Sequence, residues 1–248
     1  MTRPRVLVVR SGANPFASVG ESTAVDVVEK VSHSIEPVTP PKPGGPGIAD
    51  LAVFTSQVAV ERVAADPSLD WLLQATRRAS RVAAVGPATA DALRARRIES
   101  TVVGAGSSER LLEQLPTRLN GWRVLLPCGE DAPTDLAEGL RLRGAHVDRF
   151  VVYRKVARAR DAGLEREILE RPFSAFCATS PSAADWLFEG LAESAAERLR
   201  TTPAVALGRF TRRFLETRGV GRILVTPDAR FASALRLLEE LATASGGA

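Results

Sequence analysis

The sequence predicts an α/β protein built from two similar domains, each with a parallel β-sheet. Short apolar runs alternate with longer segments of helical periodicity, and the second half of the chain repeats the order of the first. A Pro/Gly-rich stretch interrupts this pattern once. With 248 residues, 45% of them hydrophobic and 25% charged, the chain is long and apolar enough for one large or two ordinary packed domains.

The predicted strands are short runs rich in Val, Leu, Ile and Phe, and helix-periodic segments such as SERLLEQLPTRL lie between them. In chain order the strands are 5–10, 51–56, 81–86, 100–104, 123–128, 174–180, 203–208 and 222–227. Strands that alternate with helices form parallel sheets, because each helix returns the chain to the starting edge for the next strand.

Three segments of the first half match three segments of the second half in the same order. FTSQVAVERV matches CATSPSAADWL, since each consists of the end of an apolar strand, then Thr-Ser, then a helix. AAVGPATADALRAR matches AVALGRFTRRFLETRG, because both segments contain a Gly, two further residues and a Thr, followed by the rest of a helix. The third pair is VVGAGSSERLLEQL, which matches LVTPDARFASALRLLEEL. Three matches in register indicate an internal repeat.

Two stretches predict where the chain passes between the domains. Residues 36–47, EPVTPPKPGGPG, cannot continue a helix and are typical of an extended linker. Residues 150–158, FVVYRKVAR, form a strand-like run that ends in charge. If the chain crosses at both, the first strand groups with the C-terminal half. The predicted domains are then a discontinuous one, 1–35 with 157–248, and an inserted one, 36–152.

Composition narrows the class of protein. No apolar run approaches the roughly 20 residues of a membrane span, and the first residues lack a secretory signal. Two cysteines, Cys128 and Cys177, provide no disulfide framework, so a reducing cytoplasm is expected. The net charge is +4, but the arginines are dispersed among acids and there is one tyrosine, which disfavours a nucleic-acid partner.

The sequence lacks the motifs of cofactor, metal and serine catalysis. It contains no P-loop, GxGxxG, HExxH or GxSxG, and its two histidines have no metal-ligand partners at suitable spacing. Polar groups recur instead where strands end and helices begin: Thr55-Ser56, Gly86 to Thr89, Ser107-Ser108, Thr179 to Ser182, and Gly208 to Thr211. In parallel sheets such turns lie along one edge, where helix amino termini favour anions. The alternative is that any one Ser or Thr is an ordinary helix cap without function, but the recurrence of these residues in both repeats favours ligand binding.

The chain resembles the uroporphyrinogen-III synthase family over nearly its whole length. The resemblance rests on FTSQVAV, VAAVGPATADALRAR, RVLLPCGEDAPTDLAEGLRLRGAHVDRFVVYR and CATSPSAADWL, in the family's order. It implies two α/β domains joined by a two-stranded linker, in a cytoplasmic, monomeric lyase of tetrapyrrole (heme) biosynthesis. It also implies that hydroxymethylbilane, a linear tetrapyrrole with many carboxylates, is cyclised to uroporphyrinogen III with loss of water and inversion of ring D. No metal or cofactor is implied.

Tyr153 falls on the family's linker-strand tyrosine in VVYR, which implies a catalytic role. A phenol with an ordinary pKa near 10 is protonated at neutral pH and can donate to the departing hydroxyl. The alternative is a linker residue that packs at the domain junction, and the two interpretations are about equally supported.

The resemblance also implies substrate-binding residues. They are Thr89 and Thr211 after the glycine turns, Gly86 and Gly208 in those turns, Ser56 and Ser180 in the Thr-Ser turns, and Arg10 at the end of the first strand. The chain departs from the family after that strand, with Arg10-Ser11 and then SGANPFASVGES, and at Arg209, where the family has proline. The first departure weakens the assignment of Arg10.

Two other functions stay open at this point. A protein of the same fold could bind a polycarboxylate or tetrapyrrole without catalysis. A flavodoxin-like regulatory or nucleotide-binding module is disfavoured, because the sequence has no phosphate loop.

Overall fold

A computed structural model describes residues 3–12, 22, 24–44, 48–159 and 163–244. The chain divides into two compact units, which we call unit 1 (Met1–Ile35 with Val156–Ala248) and unit 2 (Glu36–Lys155). Most of the segment SGANPFASVGES lies outside the described residues.

The secondary structure alternates between strands and helices. The strands are β1 (Arg5–Ser11), β2 (Asp26–Pro37), β3 (Leu51–Phe54), β4 (Arg81–Ala84), β5 (Val102–Val103), β6 (Arg123–Gly129), β7 (His146–Ala157), β8 (Ala175–Ala178), β9 (Ala204–Ala206) and β10 (Ile223–Val225). The helices are α1 (Gln57–Ala65), α2 (Asp70–Arg78), α3 (Pro87–Ala95), α4 (Ser108–Gln114), α5 (Asp135–Leu142), α6 (Leu164–Glu170), α7 (Pro181–Phe188), α8 (Glu193–Thr201), α9 (Arg209–Thr217) and α10 (Phe231–Ala244). The fold is therefore α/β.

Unit 1 contains a parallel sheet with the order β10-β9-β8-β1-β2. Successive side chains of a strand point to opposite faces. Leu7 and Val9 of β1 pack with helices α6 to α9, whereas Val6 and Val8 pack with α10. Because helices cover both faces, the central strands are apolar throughout.

Unit 2 contains a parallel sheet with the order β7-β6-β3-β4-β5. Leu51 and Val53 of β3 pack in a core with helices α4 and α5. Their neighbours Ala52 and Phe54 are also buried, and helix α1 lies against β3 and β6. This sheet is again apolar on both faces, which explains the continuous apolar runs in the sequence.

The two sheets have the same spatial order but a different chain order. The pair β1 and β2 precedes the other three strands of unit 1 in the chain, whereas β6 and β7 follow the other three strands of unit 2. In each unit the register shifts once at this pair, between Arg10 and Ser11 in β1 and between Cys128 and Gly129 in β6. The repeated segments found in the sequence begin at β3 and β8, which hold equivalent places in their sheets.

Strands β2 and β7 each continue past a division between the units along the chain. The divisions fall after Ile35 and after Lys155. Within unit 1, the amide of Arg158 donates to the carbonyl of Ser32 at 2.9 Å. Within unit 2, the amide of Val38 donates to the carbonyl of Val152 at 3.1 Å.

All eight predicted strands are present, although most end earlier than predicted because the polar turn residues belong to the next helix. Strand β2 was not among the predicted strands. Its residues DVVEKVSHSIEP mix charged and polar side chains with valines, and most are only half-buried. A strand paired at the end of the unit 1 sheet lacks the continuous apolar pattern of the central strands.

The described helices are all too short or too polar to cross a lipid bilayer.

Candidate active site

The carboxyl edge of the unit 2 sheet brings together several of the predicted site residues. Ser56 follows β3, Gly86 follows β4, and Tyr153 lies in β7 opposite the last residue of β6. Parallel strands end at one edge, so residues far apart in the sequence meet there.

Tyr153 is buried, and its hydroxyl has a defined partner. Its side chain is 5% exposed, and its Oη lies 3.1 Å from Ser56 Oγ. Ser56 Oγ also accepts a hydrogen bond from the Ala59 amide at 3.1 Å and caps helix α1. Since Ser56 accepts from the helix, its own proton can go to Tyr153 Oη, which leaves the phenol proton free to donate elsewhere.

The environment of Tyr153 keeps the phenol protonated. Burial raises its pKa above the ordinary value near 10, and this is the largest effect. The hydrogen bond with Ser56 and the charge of Lys155 lower the pKa in part. Asp131 and Cys128 act in the opposite direction. At neutral pH the Tyr153 phenol is therefore protonated and can donate a hydrogen bond.

Gly129 lies against the Tyr153 ring, and Arg149 holds the backbone of the turn that begins at Gly129. Neither residue was predicted from the sequence. A Cβ atom at Gly129 would lie 2.7 Å from Tyr153 Cζ and 2.9 Å from its Oη, so the ring occupies the space that a side chain at 129 would need. Arg149 Nη2 donates to the carbonyls of Gly129, Glu130 and Ala132 at 3.0 to 3.1 Å. The only sequence signal was a glycine at the end of a strand, in PCGED.

The second turn of this edge runs from Gly86 to Thr89. Gly86 caps helix α3 without a side chain, and a Cβ there would lie 3.1 Å from the Cα of Gly106. Thr89 is buried, and its hydroxyl forms no hydrogen bond with another described residue. Pro87 has no N–H group and the Thr89 amide donates to the Gly86 carbonyl at 3.1 Å, so this turn offers the Ala88 amide together with the Thr89 hydroxyl.

In unit 1, three serines meet at the carboxyl edge of the sheet. Ser180 Oγ caps helix α7 by accepting from the Ala183 amide at 3.1 Å. It also lies 3.1 Å from Ser11 Oγ and 3.0 Å from Ser182 Oγ. Both predicted serines, Ser56 and Ser180, are thus helix caps that also contact a second hydroxyl group.

Gly208 and Thr211 form the counterpart of the Gly86 turn. Gly208 caps helix α9, and a Cβ at this position would meet nothing within 4 Å. Thr211 is buried, and no described residue pairs with its hydroxyl. Arg209, the residue that departs from the family pattern, lies over the exposed ring of Phe210 at 5.1 Å.

Arg10 lies at the end of β1, where it bonds within unit 1. Its guanidinium donates to a Glu29 carboxylate oxygen and to the carbonyl of Gly12. A substrate carboxylate would have to displace or share these partners. The binding role of Arg10 therefore stays a prediction, with a competing intramolecular ion pair.

The fold and the site define the chain as a parallel α/β protein with hydroxyl groups and helix amino termini at the carboxyl edge of each sheet. One of these edges also carries a buried phenol. The chain belongs to the family of uroporphyrinogen-III synthase HemD, whose model matches residues 46–236.

Similar proteins agree with this membership. A provisionally named uroporphyrinogen-III synthase of Methanothermobacter thermautotrophicus is 33% identical over 193 residues, which cover 72% of each chain. The crystal structure of a mutant uroporphyrinogen III synthase from Thermus thermophilus matches with a TM-score of 0.63 and 22% identity, covering 97% of this chain and 99% of that one. A uroporphyrinogen-III synthetase structure from Helicobacter pylori matches with a TM-score of 0.62 and 18% identity, covering 97% and 100%. The structural matches support the α/β fold.

Proposed function

We propose that this protein cyclises hydroxymethylbilane to uroporphyrinogen III, with loss of water and inversion of ring D. The observation that carries the proposal is the Tyr153 phenol. In a chain of this family, it lies at the carboxyl edge of a sheet, protonated by its burial and bonded to Ser56. The reaction begins with departure of a hydroxyl group, and a neutral proton donor is the group that this step needs.

The proton balance of the reaction suits a single phenol. Tyr153 donates its proton to the departing hydroxyl, which leaves as water, and the substrate becomes a cationic azafulvene. The phenolate is stabilised by the hydrogen bond from Ser56 and by the charge of Lys155. Ring closure then releases a proton from carbon, and the phenolate recovers it. Tyr153 is therefore a neutral phenol again at the end of the reaction.

The carboxylates of the substrate are assigned to the two glycine turns and the serine caps. The Gly86 turn of unit 2 offers the Ala88 amide and the Thr89 hydroxyl, and the Gly208 turn of unit 1 offers the first amides of helix α9 and the Thr211 hydroxyl. Neither hydroxyl is used by a described residue. Helix amino termini favour negative charge. Ser180 contributes a hydroxyl at the edge of unit 1, and Arg10 contributes a cation if it releases Glu29.

We further propose that units 1 and 2 are the two domains of the enzyme and that β2 and β7 are the linkers. The protein then acts as a monomer in the cytoplasm on a small-molecule substrate. Size-exclusion chromatography with light scattering measures the oligomeric state, and a stable dimer would contradict the monomer.

The test of the activity is product analysis. The purified protein is incubated with enzymatically generated hydroxymethylbilane, and the uroporphyrin isomers are separated after oxidation. We expect isomer III in excess over the spontaneous isomer I. Isomer I alone, with tight binding of the tetrapyrrole, would favour the non-catalytic binding protein instead.

A further inference from the structure

We propose that Gly129 is a positioning residue for the reaction, because its missing side chain lets the Tyr153 ring lie across the end of β6 and reach Ser56. This role rests on the proposed function of Tyr153. The evidence is that Tyr153 Cζ, Cε2 and Oη would lie 2.7, 2.8 and 2.9 Å from a Cβ at position 129. Non-bonded carbon atoms pack at about 3.5 to 4.0 Å, so a methyl group and the ring exclude each other.

The register of β6 and β7 places the ring over Gly129. Cys128 pairs with Val151, but Gly129 pairs with Tyr153, so one residue of β7 is passed over at this point. Such an irregularity re-aims a side chain at the end of a strand. Tyr153 therefore meets the backbone of β6 at the one position without a side chain to obstruct it.

The backbone around Gly129 is held too firmly to move aside. Arg149 donates to three carbonyls of residues 129–132, and the Glu130 amide donates to the Tyr153 carbonyl at 3.0 Å. Lys155 Nζ pairs with Asp131 at 3.0 Å across the same turn. A methyl group at 129 is therefore expected to displace the ring rather than the backbone.

A purely conformational reason for glycine does not apply here. Gly129 is not among the glycines with a positive φ, so its backbone conformation is open to alanine. The cost of Gly129→Ala comes from the ring alone, and a smaller residue at 153 should remove it. This property separates positioning from a general need for glycine.

The experiment combines Gly129→Ala with three readouts. We expect kcat for isomer III formation to fall at least about tenfold, with KM changed by less than about threefold, because the proton donor is displaced and the binding turns are intact. In the Tyr153→Phe background the same change should have no further effect on kcat. Additive losses in the double variant, or an unchanged kcat in the single variant, would overturn the proposal.

A second readout does not depend on activity. Tyr153 is the only tyrosine of the chain, so its phenol titration needs no assignment. In the wild type its pKa is raised by burial, with Lys155, Asp131 and Cys128 as its charged or titratable neighbours. We expect the pKa to fall towards the ordinary value in Gly129→Ala, as the ring moves to solvent. An identical titration curve would show that the ring has not moved.

The third readout is unfolding. Gly129→Ala should destabilise the wild type more than it destabilises Tyr153→Ala, and if the single variant fails to fold, the double variant should fold. Failure of both would show that position 129 needs glycine for its backbone, which contradicts the proposal. Gly221→Ala is the control, because a Cβ there meets nothing within 4 Å and the backbone φ is not positive. If the wild type forms only isomer I, the proposed function fails, while the titration and unfolding data still decide the geometry.

Discussion

The carboxyl edges of units 1 and 2 are built alike but carry different chemistry. Both sheets have the same strand order and the same register shift, which pairs Gly129 with Tyr153 in unit 2 and Ser11 with His33 in unit 1. In unit 2 the empty place at 129 admits a phenol that reaches Ser56. In unit 1 the corresponding place is filled by Ser11, whose own hydroxyl reaches Ser180.

The two edges therefore differ in the group that approaches the capping serine. At each edge a second hydroxyl group lies within hydrogen-bond distance of the serine that caps a helix, Ser180 in unit 1 and Ser56 in unit 2, but only in unit 2 is that group a phenol. We therefore expect variants of unit 2 to affect the proton transfer, and the equivalent variants of unit 1 to affect stability or binding.

The largest expected effect is that of Tyr153→Phe. It removes the proposed proton donor and retains the ring, so isomer III formation should slow about a hundredfold or more. The free energy of unfolding should fall by only about 1 kcal/mol, the value of one hydrogen bond. Isomer-resolved kinetics and denaturant titration measure the two quantities. Wild-type turnover in this variant would reduce Tyr153 to a packing residue.

Ser56→Ala and Ser180→Ala test whether the two capping serines differ in function. Each removes a helix cap and should cost about 1 kcal/mol of stability. Only Ser56→Ala should also lower kcat, by about tenfold, because it removes the partner of Tyr153. Equal effects of the two variants on kcat would contradict the proposal that the proton transfer takes place in unit 2.

The pH dependence of the same pair follows from the sign of the shift. The hydrogen bond from Ser56 lowers the pKa of Tyr153, so its loss raises that pKa further. Activity needs the protonated phenol and declines as the pH rises through this pKa. The alkaline decline in kcat should therefore move to higher pH in Ser56→Ala and stay in place in Ser180→Ala. A pH series of isomer III formation tests this, and a shift to lower pH would contradict it.

The glycine turns provide a comparison in stability. Gly86→Ala places a methyl group 3.1 Å from the Cα of Gly106, whereas Gly208→Ala places one in open space. We expect Gly86→Ala to cost about 1 kcal/mol or more in unfolding free energy and Gly208→Ala to stay within about 0.5 kcal/mol. Chemical denaturation of both variants measures this, and a reversed order would show that the two turns pack differently from the structure.

The smallest effects are expected for Thr89→Val and Thr211→Val. Valine retains the buried shape and removes only the hydroxyl, which no described residue uses. If the hydroxyls bind substrate carboxylates, KM should rise several-fold in each variant, since the net contribution of one hydrogen bond is about 1 kcal/mol. Unchanged KM values in both would leave the threonines as packing residues of their helices.

The sequence was enough to predict the family, the α/β class and the polar turns that follow β3, β4, β8 and β9. These elements carry local signals, because a buried parallel strand is apolar throughout and a helix start shows Ser, Thr or Gly. Strand β2 was not predicted, because its polar residues interrupt the apolar pattern of a buried strand. Gly129 and Arg149 were not predicted either. A glycine that leaves room for a ring 24 positions later has no local pattern, since the contact depends on the pairing of two strands.

The apolar periodicity, the repeat and the single tyrosine can all be read from the order of the residues. The three-dimensional fold is needed to show that Tyr153 lies against Gly129 and forms a hydrogen bond with Ser56. The same holds for the hydrogen bond between Ser11 and Ser180 in unit 1. The physical reason is that parallel pairing brings residues that are distant in the sequence to one sheet edge. A register shift of a single residue then sets which residues are paired at that edge, Gly129 with Tyr153 in unit 2 and Ser11 with His33 in unit 1.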